Sequence, residues 1–216
     1  MPTRTNYNRF AGQSLERLAA LSDGIFAVAM TLLVLDLHVP AVRAMHGERP
    51  LWAGGALQSE RVLWDAVVGL APSLLTYIMS FLMLGVFWVG QQTQFNHIAR
   101  SDRTLTWIHL AFLLAVSLMP FSTALLAAFI AYRLALVAYW LNLLLLGAAL
   151  FGSARYAWRA GLMKDETPAY IRAVNERRIV VSQALYACGA ALCVVDTFWS
   201  IAAIVLVQLA NFVIRW

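Results

Sequence analysis

The chain has 216 residues, of which 62% are hydrophobic and 12% are charged, and its formal net charge is +5. This composition is typical of membrane proteins, because apolar runs long enough to cross a hydrocarbon core of about 30 Å recur along nearly its whole length. It excludes a separate soluble domain.

The hydropathy pattern predicts an all-α, polytopic membrane protein, with a single transmembrane domain over residues 1–216. A short cytoplasmic leader, 1–16, precedes the first span, 17–38. We expect this span to be retained, because it is longer than a signal-peptide core, contains Asp23, and is not followed by a convincing small-residue cleavage site. The five further predicted spans are 63–90, 104–129, 134–154, 179–195 and 197–214.

The connections between these spans differ in character. The outer loop, 39–62, contains prolines and the Gly54-Gly55 pair, which indicates an irregular or partly helical cap. The cytoplasmic loop, 155–178, has mixed charge, as in a solvated or headgroup-facing helix. Pro72 and Pro120 fall inside the second and third spans, where neighbouring groups can satisfy the freed carbonyls.

The last apolar stretch is too long for one crossing. We expect a tight outer turn at Asp196-Thr197 to divide it into two short spans.

The basic residues indicate the orientation. With both termini placed in the cytoplasm, only four of the 16 Lys and Arg residues fall in outer segments. This positive-inside bias accounts for the net positive charge, because basic residues are enriched in the cytoplasmic segments of membrane proteins. We therefore expect membrane lipids, and no nucleic acid, as partners. A bacterial plasma membrane is the expected location. The four outer residues are Arg43, Arg49, Arg61 and Arg133.

The chain lacks the motifs of common enzymes and metal sites. It contains no phosphate-binding loop, no His-Glu-x-x-His and no Gly-x-Ser-x-Gly, and four scattered histidines form no metal constellation. Cys188 and Cys193 are five residues apart on one helix, so small buried apolar roles are favoured over a disulfide. We expect neither enzymatic activity nor a cofactor.

The first span carries two different surfaces. At 100° per residue, Gly24, Val28, Thr31 and Leu35 fall within about 60° of one another, and Leu32 lies at the edge of this stripe. Asp23 lies about 100° from the centre of the stripe and Ser22 is nearly opposite, so this polar pair should pack against other helices. The stripe alone favours ordinary helix packing, with Gly24 permitting close approach.

A sequence motif accompanies the stripe. Arg17, Leu21, Ser22, Asp23 and Gly24 precede an apolar helix that ends in Leu-Val-Leu-Asp. This motif resembles that of the endolysosomal potassium channel family, transmembrane protein 175, in which phenylalanine occupies the position of Leu21. Leucine keeps an apolar anchor there but loses the ring.

A second patch is also similar to that family: Phe87-Trp88, Asp102-Arg103, Trp107 and the run 118–126. After the tryptophan the family commonly has two histidines and an arginine. Gln91, Gln92 and Thr93 occupy those positions here and cannot titrate, so protonation-linked behaviour at this site is not expected unless His97 substitutes.

The resemblance implies an architecture and a function. In prokaryotic six-helix members, four subunits surround a pore that the first helix lines, without a carbonyl filter. The family's constricting positions correspond to Val28, Thr31 and Leu35. The implied function is a homotetrameric, potassium-favouring cation channel, in which Thr31 is the expected K⁺ contact and Arg17, Ser22 and Asp23 support the first helix. His38 returns to the same helical face at the outer end, where a plain interfacial role is favoured over one at the pore mouth.

Two alternatives remain open from the sequence. A transporter could use Asp23 to bind a proton or a coupling cation, although the chain shows no internal repeat or broken midplane helix. A non-conducting scaffold could use the stripe as a dimer interface.

Overall fold

A computed structural model describes residues 15–39, 52 and 56–213. Within that part of the chain the structure is helical, with an isolated β-bridge between Ile98 and Met163. The helices are α1 (Leu15–Leu35), α2 (Ala56–Val68), α3 (Ala71–His97), α4 (Arg103–Ser117), α5 (Met119–Ala128), α6 (Arg133–Arg159), α7 (Ala169–Ala191), a 3₁₀ turn (Leu192–Val194) and α8 (Thr197–Val213).

Five helical segments are long and apolar enough to cross a membrane, which confirms a multi-pass, all-α membrane protein. The sixth predicted span corresponds to α8, a shorter apolar helix of 17 residues. Such a helix rises about 25 Å, so it is at the lower limit for spanning. The five long segments are Leu15–Leu35, Ala71–His97, Arg103–Ala128, Arg133–Arg159 and Tyr170–Val194.

The second span begins later than the sequence predicted. The prediction joined residues 63–68 to this span, whereas those residues end α2, and a turn at Gly69 and Leu70 separates them from α3. Pro72 therefore lies in the first turn of α3 rather than inside a span. A proline in the first turn costs no hydrogen bond, because its missing N–H would have had no helical partner there.

The third span is interrupted in the same way. α4 ends at Ser117, Leu118 forms a turn, and α5 begins at Met119 with Pro120 in its first turn. The prediction of one continuous helix with an internal proline was wrong in this detail. The two helices still follow one another as a single apolar segment.

The connection between α6 and α7 is shorter than the predicted loop 155–178. α6 continues to Arg159 and α7 begins at Ala169. Gly161 has a φ of +63°, a backbone conformation that residues with a Cβ atom rarely adopt. The chain reverses there, and the amide of Ala99 donates to the Leu162 carbonyl at 2.8 Å.

The turn predicted at Asp196 is confirmed. The 3₁₀ turn ends at Val194, α8 begins at Thr197, and the Asp196 carboxylate accepts a hydrogen bond from the Phe198 amide at 2.7 Å. A carboxylate here satisfies a free amide in the first turn of a helix.

Aromatic packing fixes the position of α1 in the bundle. Phe26 is buried and its ring centroid lies 5.9 Å from that of Phe112 on α4. Phe87 on α3 meets the same ring at 6.3 Å, edge to face. These three rings lock one face of α1 against α3 and α4, so the opposite face points away from the core.

Candidate functional site: the exposed face of the first helix

The stripe on α1 is exposed. Val28, Leu32 and Leu35 are 57%, 42% and 66% exposed, and Thr31 is also exposed. The other face of the same helix packs into the bundle through Leu18, Ser22, Phe26, Ala29 and Leu33. The structure therefore brings the predicted pore-facing residues onto one uncovered surface and separates them from the packed surface.

Thr31 carries a side-chain oxygen on this face. Its hydroxyl donates to the Val28 carbonyl, one turn earlier, at 2.8 Å. Because the proton is engaged with the backbone, the lone pairs of the hydroxyl oxygen point away from the donor bond. These lone pairs are available to a cation or to water.

Gly24 does not serve close packing within the chain. A Cβ atom added at Gly24 would have no heavy atom of the described residues within 4 Å. The packing interpretation of the stripe therefore requires a second chain rather than a neighbouring helix of the same chain.

An apolar groove of about 590 Å³ runs beside the stripe, between α1 and α4. Leu21, Gly24, Val28 and Leu32 line it from α1, whereas Thr31 and Leu35 do not. Leu32 thus faces the groove, in agreement with its place at the edge of the stripe. The α4 wall consists of Leu110, Leu113, Leu114 and Ser117.

Ser22 is held by α3. It is fully buried, and its hydroxyl oxygen accepts a hydrogen bond from Nε2 of Gln91 at 3.0 Å. Gln91 is also fully buried. The inference that Ser22 packs against another helix agrees with this arrangement.

Asp23 is held by the same helix but remains exposed. Its Oδ1 accepts one hydrogen bond from Nε1 of Trp88 and another from Nε2 of Gln92, both at 2.8 Å. Hydrogen bonds to a carboxylate are stronger than those between neutral groups. Ser22 and Asp23 therefore form three bonds to one turn of α3, across the boundary between the two sequence patches.

Sequence reasoning singled out both patches but did not pair them. The available signal was spacing: Trp88, Gln91 and Gln92 are three and four residues apart and share one face of a helix. Ser22 and Asp23 are adjacent acceptors facing that helix. Only the packing of α1 on α3 shows which side chain of α3 bonds Ser22 and which bond Asp23.

The remaining motif residues lie elsewhere. Arg17 is exposed and forms no ion pair with any residue in the described ranges. Leu21 is 45% exposed in the groove and does not anchor α1 to the bundle of its own chain; Leu18 is buried there instead, among Phe95 and Leu105. Leu18 lies on the packed side of the helix, whereas Leu21 does not.

The polar residues that follow Gln92 do not join the site. Thr93 donates to the Val89 carbonyl at 2.8 Å, and Nδ1 of His97 donates to the Thr93 carbonyl at 2.7 Å. His97 therefore does not replace a histidine near Asp23. His38 is exposed beyond α1 and bonds the Asp36 carbonyl at 3.0 Å.

The titratable and sulfur-containing side chains form no metal centre in the part of the chain that the structure describes. Cys188 is exposed and Cys193 is buried, and both are free thiols.

Comparisons with known proteins agree with the motif. Residues 17–120 match the family described as endosomal/lysosomal potassium channel TMEM175. A potassium channel of Streptomyces collinus is 37% identical over 114 residues, which are 53% of this chain and 48% of that protein. A potassium channel of Chamaesiphon minutus is 35% identical over 122 residues, 56% of this chain and 54% of that protein.

The chain spans about half the length of these two curated relatives. The endosomal/lysosomal proton channel TMEM175 of Homo sapiens is 28% identical over 107 residues, which are 50% of this chain and 20% of that protein.

A solved structure extends the similarity to the whole fold. The crystal structure of a lysosomal potassium-selective channel TMEM175 homolog from Chamaesiphon minutus superposes with a TM-score of 0.73 and 26% identity. The match covers 91% of this chain and 95% of that one. The resemblance inferred from the motif is confirmed.

Proposed function

We propose that this chain, which is related to the TMEM175 channels over residues 17–120, is one subunit of a homotetrameric, potassium-favouring cation channel whose pore is lined by α1. The observation that carries this proposal is the exposed stripe of Val28, Thr31 and Leu35, on a helix whose other face is packed. The relatives that are named potassium channels support the cation-channel class.

A pore built from this stripe requires several copies, because each chain contributes one α1. Closed symmetric rings are the usual solution for soluble identical subunits, and the same geometric closure applies in a membrane. The family resemblance favours four subunits. The groove between α1 and α4 would then receive an apolar surface of the neighbouring subunit, beside Leu32 and Leu114.

The rings in such a pore would act differently. Rings of Leu35 and Val28 present hydrocarbon to the axis, so a narrow ring dewets and blocks ions whereas a wider ring conducts. Thr31 supplies the oxygen on the stripe, and a ring of threonine hydroxyls would contact a partly dehydrated K⁺. The chain has no Thr-Val-Gly-Tyr-Gly carbonyl filter, so selectivity would rest on ring size and this oxygen.

The bonds of Ser22 and Asp23 to α3 support this assignment. They hold α1 at a fixed rotation, and rotation determines which side chains reach the axis. In this proposal they stabilise the ring and do not contact the permeating ion. Arg17, exposed near the cytoplasmic end of α1, would assist at the membrane surface.

The proposed orientation has both termini in the cytoplasm of a bacterial plasma membrane. It rests on the positive-inside distribution of arginine and lysine along the chain.

Ion flux through liposomes tests the proposal. Purified protein should pass K⁺ faster than Na⁺, and a bulky organic cation should be excluded. Thr31→Ala should change the K⁺ to Na⁺ ratio, while Thr31→Ser, which keeps the hydroxyl, serves as the matched control. Well-folded protein with no flux in the wild type and in both variants would refute it.

Two other outcomes would indicate the alternatives. Flux that saturates and requires a proton gradient would favour a coupled transporter. Cysteines introduced together at Val28 and Leu35, with Cys188 and Cys193 replaced by serine, give each subunit two thiols and should cross-link it to both neighbours, up to tetramers, in a channel. A strict dimer would favour a scaffold.

A further inference from the structure

A crevice between α3, α6 and α7 has no role in the proposed pore. It is a partly open crevice of about 70 Å³, and it lies on the side of α3 away from Asp23. Its lining includes Phe87, Gly90, Leu150, Asn175, Arg178 and Ile179. No part of the conduction proposal depends on it.

The lining is graded from polar to apolar along the membrane normal. α3 and α7 run in opposite directions, so Thr93 near the end of α3 lies at the level of Asn175 and Arg178 near the start of α7. Towards the middle of the bundle the charge disappears: Ser182 and Gln183 follow on α7, and the deepest lining is Met83, Phe87 and the ring of Tyr186. A polar, cationic mouth above an apolar interior is complementary to an amphiphile with an anionic head.

The charge at the mouth is not neutralised within the described residues. Glu176 is engaged by Arg172 at 3.0 Å and by Arg155 at 3.6 Å. No other ion pair occurs within residues 15–39, 52 and 56–213, so Arg177 and Arg178 have no carboxylate partner there. Arg178 is half-buried in the crevice, whereas Arg177 is exposed and does not line it.

The inner wall of the crevice is held by a contact between α6 and α7. Nε2 of Gln183 donates to the Leu143 carbonyl at 3.2 Å. A Cβ atom at Gly147 would lie 2.0 Å from that nitrogen, so glycine admits the amide against the backbone of α6. The amide therefore ties α7 to α6, and the crevice remains open between α7 and α3.

The surroundings of the mouth favour a lipid as the occupant. Val174, Val181 and Leu185 are exposed apolar side chains on α7, which would contact acyl chains in a membrane. Basic pockets between transmembrane helices at the cytoplasmic side bind anionic headgroups. We propose that this crevice binds one anionic phospholipid, with its phosphate at Arg178 and Asn175 and an acyl chain beside Phe87 and Ile179.

Native mass spectrometry of the purified full-length protein tests this site. Phosphatidylglycerol should be retained roughly tenfold more strongly than phosphatidylcholine, because its headgroup carries a net negative charge and phosphate–arginine bonds are charge-assisted. Arg178→Gln should reduce retention of phosphatidylglycerol to that of phosphatidylcholine. Arg178→Lys should preserve part of the preference, and Arg177→Gln should leave it unchanged.

A second pair of variants tests the acyl chain. Val86→Phe adds volume inside the crevice and should reduce retention several-fold, whereas Val89→Phe, on an exposed position of the same helix, should not. Size-exclusion chromatography confirms folding of each variant.

Three results would overturn the proposal. Equal retention of the two lipids, or equal loss in Arg177→Gln and Arg178→Gln, would indicate ordinary surface charge. Displacement of phosphatidylglycerol by excess inorganic phosphate, with no effect of Val86→Phe, would indicate a site for a free anion. These readouts do not involve ion flux. The lipid proposal is therefore tested independently of the channel proposal.

Discussion

Gln91 donates a hydrogen bond of 3.0 Å to Ser22, and both side chains are fully buried between α3 and α1. In a bilayer a polar side chain without a partner is costly, so this bond couples the first helix to the second long helix. Ser22 is on the face opposite the stripe. The bond therefore fixes the rotation that leaves Val28, Thr31 and Leu35 exposed.

We predict that Ser22→Ala destabilises the protein by about 1–2 kcal/mol, because the buried Gln91 amide then loses its acceptor. Gln91→Leu removes the other partner, and the double variant should lose less than the sum of the two single variants. Thermal unfolding in detergent measures all three. Strictly additive losses would show that the two side chains do not interact.

The bonds at Asp23 predict a pH-dependent variant. Gln92 is an amide and does not titrate, whereas an imidazole is charged below about pH 6.5 and neutral above it. In Gln92→His the charged ring would bond Asp23 more strongly, so the stability of this variant should rise as the pH falls through that range. The wild type, measured alongside, should lack this component. A flat difference between the two proteins would contradict the role of Asp23 as the acceptor.

The groove predicts a subunit contact. Leu114 is 61% exposed on the α4 wall, and it would be buried if a neighbouring subunit fills the groove. Leu114→Asn should shift the assembly towards monomers, as measured by light scattering in detergent. Leu134→Asn alters a residue that is 79% exposed at the start of α6 and outside the groove. It should leave the assembly unchanged; dissociation in both variants, or in neither, would argue against the interface.

Asp102 predicts a stability effect at the end of the bundle where α4 begins. Its Oδ1 accepts from the Leu105 amide at 2.8 Å at the start of α4, and its Oδ2 accepts from the Tyr156 hydroxyl on α6. Asp102→Ala should cost about 1–2 kcal/mol through the lost cap. Tyr156→Phe should cost less, since it removes one bond and keeps the cap. Thermal unfolding that ranks Tyr156→Phe as the more damaging variant would contradict this account.

Much of the fold was predictable because apolar length and helical periodicity are local properties of the sequence. The break near Asp196 and the two faces of α1 followed from charge and spacing alone. The boundary of the second span did not, because the hydropathy of residues 63–68 is compatible with one long helix. Pro72 held the missing information, since proline is favoured in a first helical turn.

The residues of the site could be predicted from the sequence, but the hydrogen bonds between them could not. The exposed stripe followed from the 100° rotation per residue, whereas the bonds from α3 to Ser22 and Asp23 depend on how two helices pack. Leu21 shows the same limit: the motif suggested an anchor, and the packing of α1 placed Leu18 in the core instead. The crevice at Arg178 joins three helices distant in sequence, so no local pattern indicated it.

The central claim is that the exposed face of α1 lines the pore, and thiol modification during flux tests it most directly. In a background with Cys188→Ser and Cys193→Ser, Leu35→Cys should let a charged thiol reagent change K⁺ flux through liposomes within the time of labelling. Val34→Cys is the matched control, because Val34 is 46% exposed but lies about 100° around the helix from Leu35. We expect a change of flux for Leu35→Cys alone. Equal effects at both positions, or labelling of Leu35→Cys without any change in flux, would contradict a pore lined by this face.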